Sequence, residues 1–249
     1  MEVRCPQCGA GVTVAPDASV LECPFCGTAL AVDPSGAVFH EVMLATVGEA
    51  EAAAHLRRFL AGSHTVAGLD REAEVEAPRL EYFPFWAFEV EGEEGRRSVL
   101  MPAAPSSLQG LVGLALPGAD SRPWREGITG GAPALPAEIP AETAREWLLE
   151  REGEARVRRT VLYHLPLYRV GYRWRGRRYA AAVDGITGRV YPADYPAKAE
   201  APFVLVAVLA VAVFGIEGLL LRSLLLKAVA YLVSAVPLAA VAWITARRV

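Results

Sequence analysis

Cys5, Cys8, Cys23 and Cys26 are all the cysteines of this 249-residue chain, and their spacing is metal chemistry. They form two matched knuckles, Cys5-Pro6-Gln7-Cys8-Gly9 and Cys23-Pro24-Phe25-Cys26-Gly27. Each knuckle bends two sulfurs toward one point, and the fourteen residues from Gly9 to Glu22 let a hairpin join the points. Four soft thiolates so arranged suit tetrahedral Zn²⁺, and a full set of four protein ligands makes the zinc structural, with no open position for catalysis. Two disulfides fit paired Cys-x-x-Cys steps less well. Gly9 and Gly27 supply the tight turn that each knuckle needs. Zinc in such small modules contributes about 10–16 kcal/mol of apparent folding free energy.

The second candidate is cationic. Between Tyr168 and Arg175 the aromatics Tyr168, Tyr172 and Trp174 alternate with Arg169, Arg173 and Arg175, and Arg177 and Arg178 follow the turn at Gly176. A period of two places an apolar row on one strand face and a charged row on the other. Residues 40–100 carry 12 acidic and 6 basic side chains, whereas residues 151–198 carry 4 and 11, a dipole that the net charge of −3 conceals. Three destinations suit the basic half: the chain's own acidic half, anionic lipid headgroups, or nucleic acid bound by arginines between aromatics. The first module argues against nucleic acid, since Arg4 is its only cation against Glu2, Asp17, Glu22 and Asp33.

Catalytic signatures are missing. His40, His55, His64 and His164 form no His-Glu-x-x-His pair, and there is no Gly-x-Ser-x-Gly elbow or phosphate-binding Gly-x-x-x-x-Gly-Lys loop. His164, beside the tyrosine-rich strand, reads as a hydrogen-bonded structural histidine. The acidic clusters Glu72-Glu74-Glu76 and Glu91-Glu93-Glu94 read as solvated faces. Gly127-Ile128-Thr129-Gly130-Gly131 lacks the strand–loop–helix setting of a phosphate cradle.

The elements that must position these residues follow a repeated plan. Leu80–Val90 resembles Leu162–Tyr172, with Pro84 on Pro166, Trp86 on Tyr168 and Phe88 on Val170. An amphipathic helix precedes each copy, at 49–60 with Ala53, Leu56 and Leu60 on one face, and at 141–152 with Ala144, Trp147 and Leu148. The aromatic run Tyr82, Phe83, Phe85, Trp86, Phe88 is too dense for simple alternation and reads as core. The Pro-Gly-Ala-rich stretch 101–139 connects the units, its Leu108–Leu116 patch packing down. Farther on, Phe203–Ile216 and Ala228–Ala246 are apolar, with Glu217, Arg222 and Lys227 between them, and nineteen helical residues reach about 28 Å, close to a bilayer's hydrocarbon core. No apolar leader precedes the first knuckle.

The expected fold is therefore multidomain. A zinc ribbon spans residues 1–36. A duplicated α+β domain spans 37–198, each unit a helix plus a β-meander at about 40–118 and 119–195. A two-helix transmembrane hairpin spans 202–246. Taken together, the Cys-Pro-x-Cys-Gly knuckles, Tyr82-Phe83-Pro84-Phe85-Trp86, Pro166–Tyr168 and the Asp184–Gly188 turn resemble bacterial zinc-ribbon membrane proteins. Many of these are labelled transcription-factor-B-type zinc ribbon or primosomal helicase-like. The resemblance implies architecture more than activity. The expected function is that of a non-enzymatic adaptor in the bacterial inner membrane. Its zinc ribbon would meet a protein partner, and reduced thiols would place both termini in the cytosol. The alternative is a membrane-tethered nucleic-acid binder using the ribbon and the Arg169–Arg178 face.

Overall fold

The computed structural model describes residues 2–15, 18–92, 95–153, 156–198 and 201–248. Asp17, Glu93 and Glu94 lie outside the described residues. The first module contains β1 (Glu2–Arg4), β2 (Gly11–Thr13), β3 (Val20–Glu22) and β4 (Ala29–Asp33), followed by β5 (Gly36–Met43), α1 (Glu49–Leu60), α2 (Leu69–Glu72) and β6 (Glu74–Val75). Next come the long strand β7 (Arg79–Gly92), β8 (Gly95–Pro102), β9 (Leu114–Ala115), β10 (Ser121–Pro123) and α3 (Ala141–Glu152). A second long strand, β11 (Arg156–Trp174), leads to β12 (Arg177–Asp184), β13 (Val190–Pro192), α4 (Ala201–Leu220) and α5 (Leu224–Arg248).

The chain divides into two compact units, one of Met1–Phe59 with Glu72–Tyr195 and one of Leu60–Arg71 with Pro196–Val249. In the first, among the described residues, β1 pairs only with β2, and the other eleven strands form one mixed sheet. The ribbon is thus no separate body: β4 pairs antiparallel with β5, and β5 pairs parallel with β11. Nor do the two expected repeat units stand apart. β7 and β11 lie side by side and antiparallel at the middle of the sheet, Tyr82 opposite Pro166 and Phe83 opposite Leu165. Over 82–88 and 161–168 the two long strands are buried on both faces, which explains why those stretches lack alternation. Phe83, Phe85, Tyr163 and Leu165 enter one core, with Leu108 and Leu111 of the connection packing down as expected. Trp86, Phe88 and Leu162 enter the other, against Ala144 and Leu148 of α3.

Equivalent hydrogen bonds recur around this central pair. The Pro84 carbonyl accepts from the Ala103 amide (3.0 Å), and the Pro166 carbonyl from the Gly185 amide (2.8 Å). The Ala103 carbonyl holds the amides of Glu138 and Ile139 before α3, while the Gly185 carbonyl holds those of Thr46 and Val47 before α1. Trp86 Nε1 donates to the Ile139 carbonyl at 2.7 Å, and the Tyr168 hydroxyl to the Val47 carbonyl at 2.8 Å.

Both helices begin and end where the sequence places them, but their buried faces differ in detail. α1 buries Ala52 with Leu56 and Leu60 instead of Ala53, and Trp147 of α3 is exposed. Proline opens α3 but has no side-chain oxygen with which to cap it. Asp33 does so from 108 residues away, its Oδ2 accepting from the Ala141 amide at 3.0 Å. Its Oδ1 accepts from the Ser35 amide and hydroxyl. Removing a buried acceptor leaves these donors orphaned, so Asp33→Ala is expected to cost about 1–3 kcal/mol. A fall in the urea midpoint at unchanged slope would show it.

In the second unit, Thr65 bridges to Ala197, and the Thr65 hydroxyl donates to the Leu60 carbonyl at 2.7 Å. α4 and α5 are joined by residues 221–223 and pack together, with Phe214 edge-on to Tyr231 at 5.5 Å and the Ser234 hydroxyl donating to Glu217. Because α5 begins at Leu224, Lys227 lies in its first turn and not in the connection. Among the described residues one helix is long and apolar enough to cross a membrane, over Leu224–Trp243, with none of that run buried. Within α4 the described residues contain the shorter apolar run Val206–Leu220, so the expectation of two spans is met by one span candidate.

Candidate metal centre

The two knuckles are built alike. In the first, the Cys5 amide donates to the Ala10 carbonyl and the Gly9 amide to the Cys5 carbonyl, both at 2.9 Å. In the second, Cys23 donates to Thr28 and Gly27 to Cys23 at the same distances. Gly9 and Gly27 adopt φ of 75° and 71°, the left-handed conformation in which a side chain is strained. Val3, Val12, Val14 and Leu30 pack around the buried Cys5 and Cys23, while Cys8 and Cys26 form the exposed rim.

The four sulfurs lie within 4.8 Å of one another. Cys5 Sγ is 3.7 Å from Cys26 Sγ and Cys8 Sγ is 3.8 Å from Cys23 Sγ. A tetrahedron with metal–sulfur bonds of about 2.3 Å has an edge of about 3.8 Å. The donor set therefore fits a metal ion held by sulfur alone. The sulfurs also divide their protons unequally. The hydroxyl and amide of Thr28 hold the Cys26 thiol down to about 6. At Cys8 the Ala10 amide favours the thiolate, but desolvation and the three neighbouring sulfurs outweigh it and push the thiol up to about 11. Crowded thiolates repel, and a cation at their centre relieves that repulsion.

The arginine row takes a different place from an open basic face. Arg178 reaches Glu76 at 2.8 Å, Arg169 reaches Glu81 at 3.6 Å, Arg175 reaches Glu72 at 3.9 Å and Arg177 reaches Asp194 at 3.9 Å. Arg173 sits opposite Glu74 in the register of β11 with β6. On β7 and β11, Arg158 likewise reaches Glu91 at 2.7 Å. The acidic stretch 72–81 thus lies alongside the basic strand, and each exposed pair adds little stability, roughly 0–1 kcal/mol.

Sequence reasoning found His164 but not its partner. His164 Nε2 donates to the Leu135 carbonyl at 2.8 Å, which leaves its Nδ1 to accept from His40 Nε2 at 2.9 Å. Trp124 stacks on His40 with ring centres 4.7 Å apart. Both histidines are buried, and His40 Nδ1 has no partner among the described residues. Desolvation, with His164 adding to it, pushes His40 down to about 3, and desolvation also lowers His164. A cavity of about 260 Å³ adjoins the pair, walled by Asp33, Trp86, Pro140 and Leu162. No signal in the sequence joins residues 40 and 164, which meet because β5 runs parallel to β11.

No known family model, curated protein or solved structure matches the chain.

Proposed function

We propose that the protein is a non-enzymatic, membrane-anchored adaptor whose metal-folded ribbon presents a rigid surface to a protein partner. The observation that carries this reading is the continuity of β4 with β5 and β11, which ties the four-sulfur cluster to the main sheet. A metal with four protein ligands does no chemistry of its own but fixes the hairpin that holds it. Zinc is the ion proposed, because sulfur-only tetrahedral sites favour it.

The exposed apolar surface of α5 supports membrane anchoring, and α4 is proposed to cross with it as a hairpin. Reduced thiols favour a bacterial inner membrane with the ribbon and both termini in the cytosol. The recurring hydrogen bonds, at positions 82 residues apart on the strands and 92 apart before the helices, support an origin by duplication. Membership of the zinc-ribbon membrane family is proposed on the knuckles and aromatic motifs. The nucleic-acid alternative is weakened by the carboxylates beside Arg169, Arg175, Arg177 and Arg178.

Cross-linking in native membranes, followed by identification of the products, tests the reading. Protein cross-links that need detergent for extraction and vanish in Cys23→Ser are the expected result. Salt-sensitive nucleic acid in their place, abolished by Arg173→Ala with Arg175→Ala and Arg178→Ala, would overturn it.

A further inference from the structure

β3 ends the main sheet, and its hydrogen-bonding parity shows which backbone groups face outward. The Val32 amide donates to the Ser19 carbonyl and the Cys23 amide to the Thr28 carbonyl. In the register that sets Leu21 opposite Leu30, residues 19, 21 and 23 are the ones bonded to β4. The N–H and C=O groups of Val20 and Glu22 therefore point away from β4, and among the described residues no backbone partner meets them. Beyond this edge lies a cavity of about 510 Å³, walled on its far side by Trp124, Arg125, Glu126 and Gly127. It adjoins a second, of about 360 Å³, that runs toward the second knuckle between Glu22 and Gly27 on one side and Arg122 and Arg125 on the other. Val20 is 41% exposed, and Phe25 at the knuckle tip is 70% exposed.

We infer that this slot receives an extended segment of a partner protein, which adds to the sheet as a strand beside β3. Outward N–H and C=O groups at alternate residues are met in register by another extended backbone. The far wall selects a single flexible chain. A second copy offering its own β3 would bring its own wall at 124–127 into the same space. Charge narrows the partner further. At the knuckle end of the slot Arg122 and Arg125, neither with a carboxylate within ion-pair distance among the described residues, outnumber Glu22, so that end is net cationic and takes an acidic side chain from the segment. Apolar side chains at alternate positions of the segment would meet Val20 and Trp124. This inference rests on the adaptor reading and names the surface that the partner would use.

Selection of phage-displayed random dodecapeptides on the full chain in detergent, followed by synthesis of the enriched sequences, tests it. The expected peptides alternate apolar residues and carry Asp or Glu. Glu22→Pro removes an outward N–H without touching the β3–β4 ladder, and is expected to weaken peptide binding at least tenfold while metal content stays unchanged. Arg125→Glu is expected to do the same, and a peptide with Lys in place of its acidic residue to recover binding to that variant. N-methylation of the peptide at alternate residues reports the same hydrogen bonds with the protein unaltered, and is expected to weaken binding at least tenfold at those positions alone. Peptides indifferent to Glu22→Pro and to N-methylation, no enrichment, or self-association through β3 would each overturn the slot. Membrane cross-links that persist in Glu22→Pro would sink the slot and leave the adaptor standing. Absence of any protein cross-link would sink the adaptor, whatever the peptides do.

Discussion

Stripping the metal with a strong chelator is expected to unfold the first module and to loosen the sheet well beyond it. The ribbon's own core is small: Val3, Val12, Val14, Leu30 and two buried cysteines. So few apolar side chains cannot offset the entropy of ordering more than thirty residues, and modules of this size depend on a metal or disulfides. Four-thiolate sites of this kind contribute about 10–16 kcal/mol of apparent folding free energy, more than a whole domain's usual net stability. The loss would travel along two connections. β4 hydrogen-bonds to β5 inside the main sheet, and Asp33 at the end of β4 holds the first amide of α3. Hydrogen exchange should therefore rise by orders of magnitude across residues 2–33, and by a smaller factor at the start of α3. Cys5→Ser or Cys23→Ser, at the buried positions, should match chelation. Exchange at α3 that ignores chelation would show that Asp33 holds its cap without the metal. Native exchange throughout residues 2–33 in metal-free protein would show that sulfur ligation does not fold the module.

How much of this was legible in the sequence depends on how far apart the cooperating residues lie. The knuckles were readable because both halves of each are local: a Cys-x-x-Cys step and a glycine in the left-handed conformation. The helices 49–60 and 141–152 were readable from their periodicity, and their bounds agree with the structure. The hairpin at Arg175-Gly176 was marked by its glycine, and both residues take positive φ there, as a two-residue turn between twisted strands requires. Trp147 misled because an aromatic at helical spacing counts as apolar, yet the face of α3 that meets Trp86 and Phe88 is filled by Ala141, Ala144 and Leu148. The sheet's continuity was hidden. The turn Asp33-Pro34-Ser35-Gly36 is a local mark for pairing Ala29–Asp33 with Gly36–Met43, but nothing local says that the latter strand joins Val161–His164. The arginine row shows the same limit. Alternation revealed a charged face, but only the fold sets residues 72–81 against it.

Acid is expected to destabilise the main sheet through His40, between the ordinary histidine range and the depressed value of the folded state. In the unfolded chain His40 binds its proton near pH 6.5; in the folded protein burial, with His164 beside it, holds it down to about 3. Above pH 6.5 both states are neutral and His40 contributes nothing to the pH dependence. As pH falls below 6.5 the unfolded state takes up a proton that the folded state refuses, so stability drops until pH reaches about 3. At pH 4.5 the loss from His40 alone is roughly 3 kcal/mol, and His164, also lowered, adds to it in the same direction. The folded site offers the imidazolium little compensation. Trp124 covers its ring, His164 already donates its other nitrogen's proton to Leu135, and of the two carboxylates that line the adjoining cavity Asp33 is committed to α3 and Ser35 while Glu138 is exposed to solvent. Thiolate protonation also releases metal in acid, so the decisive measurement compares two proteins under one condition. His40→Gln keeps an amide donor for His164 Nδ1 but binds no proton. At pH 7.5 it should be about 1 kcal/mol less stable than the parent, having lost the Trp124 stack. At pH 4.5 it should be the more stable of the two in urea. Parallel pH profiles for the pair would show that His40 takes up its proton equally in both states.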